Sequence, residues 1–309
     1  MRVSIDEAAR LLTTGNVVGV PTETVYGLAA SLQHPAAIAE IFALKGRPSN
    51  NPLIVHLHAI EDLDFYVKQI PDGMRELAAA FWPGPLTFVL DVDVDKVPAI
   101  ARADLPTAAF RVPSHPIAHA LLKKTGPLVM PSANLSGKPS STSSKHVEDD
   151  FGSDFPVLEG GQCDKGMEST ILFWKEDEWV IIRLGALSPE AFEPILGYCP
   201  VVVGVKHDKK PLCPGQLYRH YSPEAKLHLV TSMPKEAEVV VGFDDRHYPF
   251  AKQVFSLGFS SDSTTAVKCL YAVLRQLDDE GVAEAWVDVD FPAEGLWKTL
   301  RERLQRSQS

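Results

Sequence analysis

Short apolar segments alternate with helical patterns over the first two hundred residues, and this alternation restricts the possible folds more than any other feature. Five of these segments are rich in strand-forming residues and bounded by Gly or Pro, so we interpret them as strands. They are "VVGVP" (17–21), "PLIVHL" (52–57), "LTFVLDV" (86–92), "TAAFRVP" (107–113) and "PLVMPSA" (127–133). "PAAIAEIFALK" and "HPIAHALLKKTG" have helical spacing, while "ESTILFW" and "EWVIIRLG" around the polar "KEDE" predict a later hairpin. We therefore expect an α/β domain with a mixed, twisted sheet.

A segment rich in Pro, Lys and His interrupts this alternation and has no period of its own. We interpret residues 201–224 as a linker between a domain at 1–200 and a smaller one at 225–309. In the smaller domain, the segments "KLHLVTS", "EVVVGF", "QVFSLGF" and "EAWVDVD" are interpreted as strands. One helix is predicted from its N-cap Asp262 to Asp279, and a last helix over 294–306. The pattern indicates a second α/β domain.

The composition argues against several classes of protein. The 309 residues are 45% hydrophobic and 23% charged, which is typical of an ordered globular chain. No run approaches the roughly 20 apolar residues of a membrane helix, so we expect a cytoplasmic protein without membrane contact. The formal net charge of −10 argues against a surface that tracks nucleic acid. Four cysteines without C-x-x-C spacing predict neither a disulfide framework nor a structural zinc site.

Three polar segments lie at the ends of predicted strands, where open α/β sheets usually bind ligands. They are "PTETVYG" (21–27), "KGRPSNNP" (45–52) and "MPSANLSG" (130–137). The last also fits a plain turn with local hydrogen bonds from Ser132 and Asn134. Standard glycine-rich phosphate motifs are missing from the sequence. In a compact sheet, the hydroxyls, amides and cations of the three segments would converge.

Four cations accompany these segments. Lys45 and Arg47 surround a glycine, and the stiff segment "PSNNP" follows them. Arg111 and Arg183 each end an apolar strand. Taken singly, Lys45 and Arg47 could be cations that stabilise a helix C-terminus, and Arg111 could point to solvent from an edge strand. Together, in an acidic protein, they predict a site for an anionic ligand with several charges, such as a carboxylate plus phosphates.

A histidine pair lies in the second predicted strand. His56 and His58 occupy alternate positions, which would place both side chains on the same side. Such pairs often bind metal, but a zinc site needs further ligands, and the sequence suggests no third one. We therefore predict no metal-binding residues.

Seven segments, taken together and in this order, resemble the threonylcarbamoyl-AMP synthase family, whose catalytic domain is called YrdC-like. They are "PTETVYGL", "KGRPSNNPLIVH", "FWPGPLTFVL", "AFRVP", "PSANLSGKPS", "MESTIL" and "PGQLYRHYSP". The additional C-terminal domain resembles that of the long, two-domain form of the family. The resemblance implies a twisted mixed-sheet YrdC-like domain with a large cationic cavity, plus a smaller Rossmann-like α/β domain.

The resemblance also implies an activity. The family are nucleotidyltransferases that make L-threonylcarbamoyladenylate and pyrophosphate from L-threonine, bicarbonate or CO2, and ATP. The product is used to modify the adenosine beside the anticodon to threonylcarbamoyladenosine, in tRNAs that read ANN codons. Partner tRNA threonylcarbamoyl-transferase proteins complete this modification. We expect Mg²⁺ as the counter-ion of ATP, and weak direct tRNA binding or none.

Residue by residue, the resemblance assigns roles in this sequence. The ATP-binding positions are Lys45, Arg47, Asn51, Thr107, Met130, Ser132, Asn134, Arg183, Tyr218 and Ser222, with Lys45, Arg47, Ser132 and Asn134 also assigned to catalysis. The threonine-binding positions are Thr22, His56, Arg111 and Ser169. The segment that closes over the cavity is Tyr218, Arg219, His220, Tyr221 and Ser222. Alanine at Lys45 or Arg47 is expected to abolish adenylate formation and to leave the fold intact.

The sequence is also compatible with two other functions. An RNA-binding module would use the basic concavity of a YrdC-like domain, although the acidic charge weighs against it. A carbamoyltransferase that carries a YrdC-like domain would use carbamoyl phosphate, but such proteins have additional domains that this sequence lacks.

Overall fold

The structure is a computed structural model that describes residues 1–204, 211 and 221–308. The strands of its N-terminal part are β1 (Val18–Val20), β2 (Gly27–Ser31), β3 (Ile54–His56), β4 (Leu86–Asp91), β5 (Thr107–Arg111), β6 (Leu128–Val129), β7 (Thr170–Lys175) and β8 (Glu178–Arg183). They form one sheet in the order β1-β2-β6-β3-β5-β4-β7-β8. β3 is parallel to β5 and β4 to β7, whereas β7 and β8 form an antiparallel hairpin. The predicted mixed sheet and hairpin are confirmed.

Helices cover this sheet. The α-helices of this part are α1 (Ile5–Thr13), α2 (Pro35–Lys45), α3 (Met74–Phe81), α4 (Ala99–Arg102), α5 (Pro116–Thr125), α6 (Ser144–Phe151) and α7 (Glu193–Leu196), and 3₁₀ helices span Ile60–Phe65 and Pro189–Phe192. Pro35 occupies the first turn of α2, and Gly46 ends that helix with φ of +60°. This left-handed turn directs the chain from the end of α2 towards β3, which brings Lys45 and Arg47 to the sheet.

A second sheet follows the linker. Its strands are β9 (Lys226–Val230), β10 (Val239–Gly242), β11 (Gln253–Ser256) and β12 (Glu284–Asp288), and its helices are α8 (Ser263–Asp279) and α9 (Leu296–Ser307). The strands are all parallel, in the order β11-β10-β12-β9. The carboxylate of Asp262 caps α8 by accepting from the backbone N–H groups of Thr264 and Thr265. The predicted α/β fold class is confirmed in both parts.

Strand β2 was not among the predicted strands. Its sequence, "GLAAS", contains no β-branched or aromatic residue, so the usual strand signal is missing. All five residues are buried between β1 and β6. A Cβ atom at Gly27 would lie 2.9 Å from the Cβ of Met130, so a small residue is required for the close approach. The last helix also differs slightly, since it begins at Leu296 and not at 294.

The N-terminal and C-terminal parts share buried apolar contacts. The hydrophobic cluster of the second sheet includes Val25, Met167 and Ala186 from the N-terminal part. No helix in the described ranges is both long enough and apolar enough to cross a membrane.

Candidate active site

An open cavity of about 550 Å³ lies where several strands of the first sheet end. Its lining residues are Thr24, Val25, Arg47, Ile54, His56, Arg111, Met130, Pro131, Ser132, Asn134, Ser140, Glu168, Ser169, Arg183 and Tyr221. The register between the parallel strands β3 and β5 places His56 beside Arg111. All three polar segments identified in the sequence contribute, because each follows or precedes a strand that ends at the cavity.

The cavity brings together most of the residues to which the sequence assigns roles. Arg47, His56, Arg111, Met130, Ser132, Asn134, Ser169, Arg183 and Tyr221 line it. Five others are buried but do not line it: Thr22, Lys45, Asn51, Thr107 and Ser222. Tyr218, Arg219 and His220 lie outside the described residues.

Lys45 is buried behind the residues that line the cavity. Its ammonium group donates hydrogen bonds to the backbone carbonyls of Ser132 and Asn134, both at 2.5 Å. Burial lowers the pKa of Lys45 well below its usual value, and the nearby Arg47 guanidinium lowers it further. The side chain therefore bridges two carbonyls of the 132–134 segment and is not among the residues that line the cavity. The assigned role of Lys45 in ATP binding and catalysis stays a prediction.

Arg111 is held in a fixed orientation by a buried ion pair. Its guanidinium donates to the Glu23 carboxylate at 2.5 Å, to the Thr24 hydroxyl at 2.8 Å and to the Gly84 carbonyl at 3.1 Å. The other Glu23 oxygen accepts from the backbone N–H of Ser114. These bonds use three of five guanidinium N–H groups, which leaves two for a ligand carboxylate. Glu23 was not predicted, although a carboxylate within the otherwise uncharged "PTETVYG" suggests such a partner.

Three side chains assigned to ATP binding carry buried oxygen atoms that lack a hydrogen-bond partner among the described residues. These are Asn51 Oδ1, Thr107 Oγ1 and Asn134 Oδ1. The Asn134 amide nitrogen already donates to the carbonyls of Leu135 and Lys138, at 2.8 and 2.9 Å. An unsatisfied buried polar atom is unfavourable by about 1–3 kcal/mol, so such atoms favour the binding of a donor group. Of the three residues, Asn134 is the one that lines the cavity.

Comparison with known proteins identifies the family. A family model called Sua5_yciO_yrdC, described as "Telomere recombination", matches residues 10–185, and one described as "Threonylcarbamoyl-AMP synthase, C-terminal domain" matches 187–309. The threonylcarbamoyl-AMP synthase of Bacillus subtilis is 35% identical over 98% of this chain and 92% of its own length. The chain belongs to the threonylcarbamoyl-AMP synthase family. The resemblance read from the seven sequence segments is thereby confirmed.

Two further comparisons extend to the C-terminal part. The threonylcarbamoyl-AMP synthase of Pyrococcus abyssi is 37% identical over 97% of this chain and 92% of its own length. The crystal structure of P. abyssi Sua5 complexed with L-threonine superposes with a TM-score of 0.90 and 33% identity, covering 100% of this chain and 96% of that one. The two-domain arrangement of this synthase-family chain therefore has a close structural counterpart.

Ser169 and Arg183 form a second polar pair in the synthase cavity. The Arg183 guanidinium donates to the Ser169 carbonyl at 2.7 Å and to its hydroxyl at 3.0 Å. The same hydroxyl is 2.7 Å from that of Thr87. Arg183 ends β8 and Ser169 immediately precedes β7, so the hairpin brings them together.

Glu168 is a cavity residue with no sequence signal of its own. Its carboxylate accepts from the hydroxyls of Ser140 at 2.6 Å and Tyr271 at 2.8 Å, and from Arg303 at 3.3 Å. Burial favours the neutral acid, but Arg303, Arg183 and the two hydroxyls outweigh it, so the pKa of Glu168 lies below its usual value. Among the described residues, the cavity of this synthase-family chain thus combines three arginines with one ionised carboxylate.

His56 presents a neutral imidazole to the cavity. Its Nδ1 is 3.1 Å from the Ile54 carbonyl, which can only accept, so Nδ1 carries the proton and Nε2 is an acceptor. Burial and the Arg111 cation lower the pKa of His56 well below 6.5. The expected same-side arrangement with His58 is wrong, because β3 ends at His56 and the His58 ring packs on His119 at 4.1 Å.

The pH dependence of stability provides a test of this neutral histidine. The pKa of His56 is near 6.5 in the unfolded chain and lower in the folded one, so the unfolded chain binds more protons below pH 6.5. His56 therefore contributes stability that is present above pH 6.5 and is lost as the pH falls. We expect His56→Asn, which keeps a donor for Ile54, to reduce the slope of unfolding free energy below pH 6.5 by up to about 1.4 kcal/mol per pH unit.

Urea denaturation of the wild type and of His56→Asn between pH 5 and 7.5 measures this difference. Taking the difference between the two slopes removes the contributions of His119 and His146, whose pKa values are also lowered. Identical slopes in the two proteins would show that His56 binds protons equally well in the folded and unfolded states, and would contradict a lowered pKa.

Proposed function

We propose that this protein forms L-threonylcarbamoyladenylate and pyrophosphate from L-threonine, bicarbonate or CO2, and ATP. The observation that carries the proposal is a single cavity in which Arg47, Arg111 and Arg183 meet, in a chain whose net charge is −10. A ligand with a carboxylate and several phosphates suits such a concentration of guanidinium groups.

L-Threonine would occupy the end of the cavity near Arg111. The two remaining N–H groups of Arg111 would bind its carboxylate, and Nε2 of His56 would accept from its amine or hydroxyl. Ser169 supplies a further hydroxyl at this end. Thr22 supports the site indirectly, since its hydroxyl is 2.8 Å from that of Thr24 and donates to the Val25 carbonyl at 2.6 Å.

ATP would extend from there along the 130–134 segment. Arg47 and Arg183 would bind phosphate oxygens, while Ser132, Asn134 and the backbone of Met130 would orient the nucleoside. Asn134 Oδ1 would accept a donor of the base or ribose and so acquire the partner that it lacks among the described residues. Mg²⁺ would enter with the nucleotide as its counter-ion, held by phosphate oxygens and water. The described residues contain no group of three His, Cys, Asp or Glu side chains that could hold it alone.

The reaction then needs two bond-forming steps. The threonine amine attacks the carbon of CO2, or of bicarbonate with loss of water, and loses a proton to give a carbamate. A carbamate oxygen attacks the α-phosphorus, and the bond to the β,γ-diphosphate breaks to release pyrophosphate. No covalent enzyme intermediate is required, so orientation by Arg111 and charge stabilisation by Arg47 and Arg183 supply the catalysis.

Both the carbamate and the mixed anhydride hydrolyse in water, so the site must exclude solvent. Tyr221 lines the cavity, and the backbone N–H of Ser222 donates to the Gly137 carbonyl at 2.8 Å. The end of the linker is thus fixed beside the nucleotide segment. We place the reaction in the cytoplasm, where transferase proteins would pass the threonylcarbamoyl group to tRNA.

Pyrophosphate release tests the proposal. The purified chain should release pyrophosphate from ATP only when both L-threonine and bicarbonate are present, and omission of either should reduce the rate to background. The surface variant Arg75→Met, whose guanidinium pairs with the exposed Asp64, is the control and should retain full activity. Release that ignores threonine, or that requires carbamoyl phosphate, would refute the synthase function.

A further inference from the structure

A buried polar cluster joins the C-terminal domain to the cavity. It consists of Glu168 from the cavity lining, Tyr271 from α8 and Arg303 from α9, and we call it the interdomain cluster. Tyr271 and Arg303 both donate to the same oxygen of Glu168, at 2.8 and 3.3 Å, and their own side chains are 3.1 Å apart. Tyr271 is fully buried and Arg303 is 1% exposed, so no water competes for these bonds.

Arg303 contacts both chain segments that carry the Ser169–Arg183 pair. Glu168 immediately precedes Ser169, and the carbonyl of Leu184, which follows Arg183, accepts from Arg303 at 2.6 Å. The two segments are also bonded to each other, because the Ala186 N–H donates to the Glu168 carbonyl. One guanidinium from the C-terminal domain therefore fixes both halves of this part of the cavity.

Backbone packing points to the same role. The Thr299 hydroxyl of α9 donates to the Gly185 carbonyl at 3.0 Å, two residues after Arg183. At Gly166, where φ is +61°, an added Cβ would lie 2.2 Å from the Lys268 carbonyl of α8. The segments before Ser169 and after Arg183 thus lie directly against the C-terminal helices.

We infer that Tyr271 and Arg303 are positioning residues for the reaction, and that they act through Glu168 to hold Ser169 and Arg183 in the cavity. The C-terminal domain thereby completes the substrate site. This role rests on the proposed function, in which Ser169 binds threonine and Arg183 binds ATP. A domain that serves only as an attached module would not need a fully buried ionic contact with a cavity residue.

Variants of the cluster separate positioning from general stability. Arg303→Met leaves the Glu168 carboxylate with fewer partners, and we expect kcat/KM for threonine to fall about tenfold or more through a raised KM. When Glu168→Gln is added to Arg303→Met, the pair loses both of its charges, while the new amide oxygen can still accept from Tyr271. The second change should therefore restore activity that the first removes. Lys298→Met is the matched control, since Lys298 also bridges from α9 to the N-terminal part but does so on the surface, to Glu190.

Tyr271→Phe covers the case in which Arg303→Met does not fold. It removes one hydroxyl and keeps the ring that stacks on Tyr221 at 5.2 Å. We expect a smaller rise in KM than for Arg303→Met, with a thermal midpoint close to that of the wild type. A loss of thermal stability with unchanged KM, or failure of Glu168→Gln to restore activity, would overturn the inference.

Hydrogen exchange gives a readout that does not depend on turnover. In Arg303→Met, amides of residues 166–171 and 183–186 should exchange faster than in the wild type, and Glu168→Gln should reverse the change. If the wild type makes no adenylate, the proposed function fails, whereas unchanged exchange in Arg303→Met contradicts the positioning role itself.

Discussion

Arg111→Lys should lower kcat/KM for L-threonine by about 100- to 1000-fold, with little effect on the KM for ATP. Three of the guanidinium N–H groups of Arg111 are bonded to Glu23, Thr24 and Gly84, and two remain for the substrate carboxylate. An ammonium group has three donors at a single point, so it cannot serve these partners and a bidentate carboxylate together. Lysine keeps the positive charge beside Glu23, and the effect therefore reports geometry and not an unpaired buried acid.

Steady-state pyrophosphate release at varied threonine and saturating ATP measures this loss. Arg75→Lys, the same substitution at an exposed ion pair, is the control and should match the wild type. Near-normal threonine kinetics in Arg111→Lys would mean that the carboxylate binds elsewhere, and would remove Arg111 from the threonine site.

Lys45→Met should reduce both stability and ATP binding. Methionine has about the length of the lysine stem but no donor, so the buried carbonyls of Ser132 and Asn134 lose their ammonium partner. At about 1–3 kcal/mol for each of the two unsatisfied carbonyls, we expect a destabilisation of about 2–6 kcal/mol. The 132–134 segment should then loosen, which weakens ATP binding. This differs from the sequence-based expectation that removal of Lys45 leaves the fold intact.

Arg47→Ala is the comparison that separates the two roles. Arg47 lines the cavity and is only partly buried, and it donates to the Asn51 and Pro52 carbonyls over longer distances, 3.3 and 3.1 Å. Its loss should therefore abolish adenylate formation with a smaller effect on stability than the loss of Lys45. Urea denaturation and equilibrium ATP binding on both variants test the contrast. Equal stability of Lys45→Met and the wild type would contradict the positioning role of Lys45.

Local patterns predicted most of the fold. The hairpin β7–β8 follows from two apolar segments around "KEDE", and α8 begins at the cap that Asp262 indicates. Strand β2 could not be found this way, since small residues carry no strand preference and its place depends on close contact with Met130. Here tertiary packing decides the conformation, and a single sequence contains no record of it.

Many of the residues that line the cavity were predictable, but their arrangement was not. The motifs identified Arg111 and Lys45, yet they could not show that the ammonium of Lys45 would donate hydrogen bonds to two backbone carbonyls. Partners distant in sequence were also missed. Glu168 and Arg303 are 135 positions apart, and neither lies in a pattern that predicts a buried contact. Only the packing of α9 against the cavity brings them together.

Tracing all three substrates into one product tests the central claim most directly. The purified chain would be incubated with ¹³C-bicarbonate, ¹⁵N-threonine and ATP, and the nucleotides analysed by mass spectrometry. We predict one AMP adduct that contains both heavy isotopes, formed at the same initial rate as pyrophosphate and not formed by Arg47→Ala, with unlabelled AMP appearing only later as the adduct hydrolyses. Pyrophosphate accompanied from the earliest time points by AMP alone, with no doubly labelled adduct, would contradict the account.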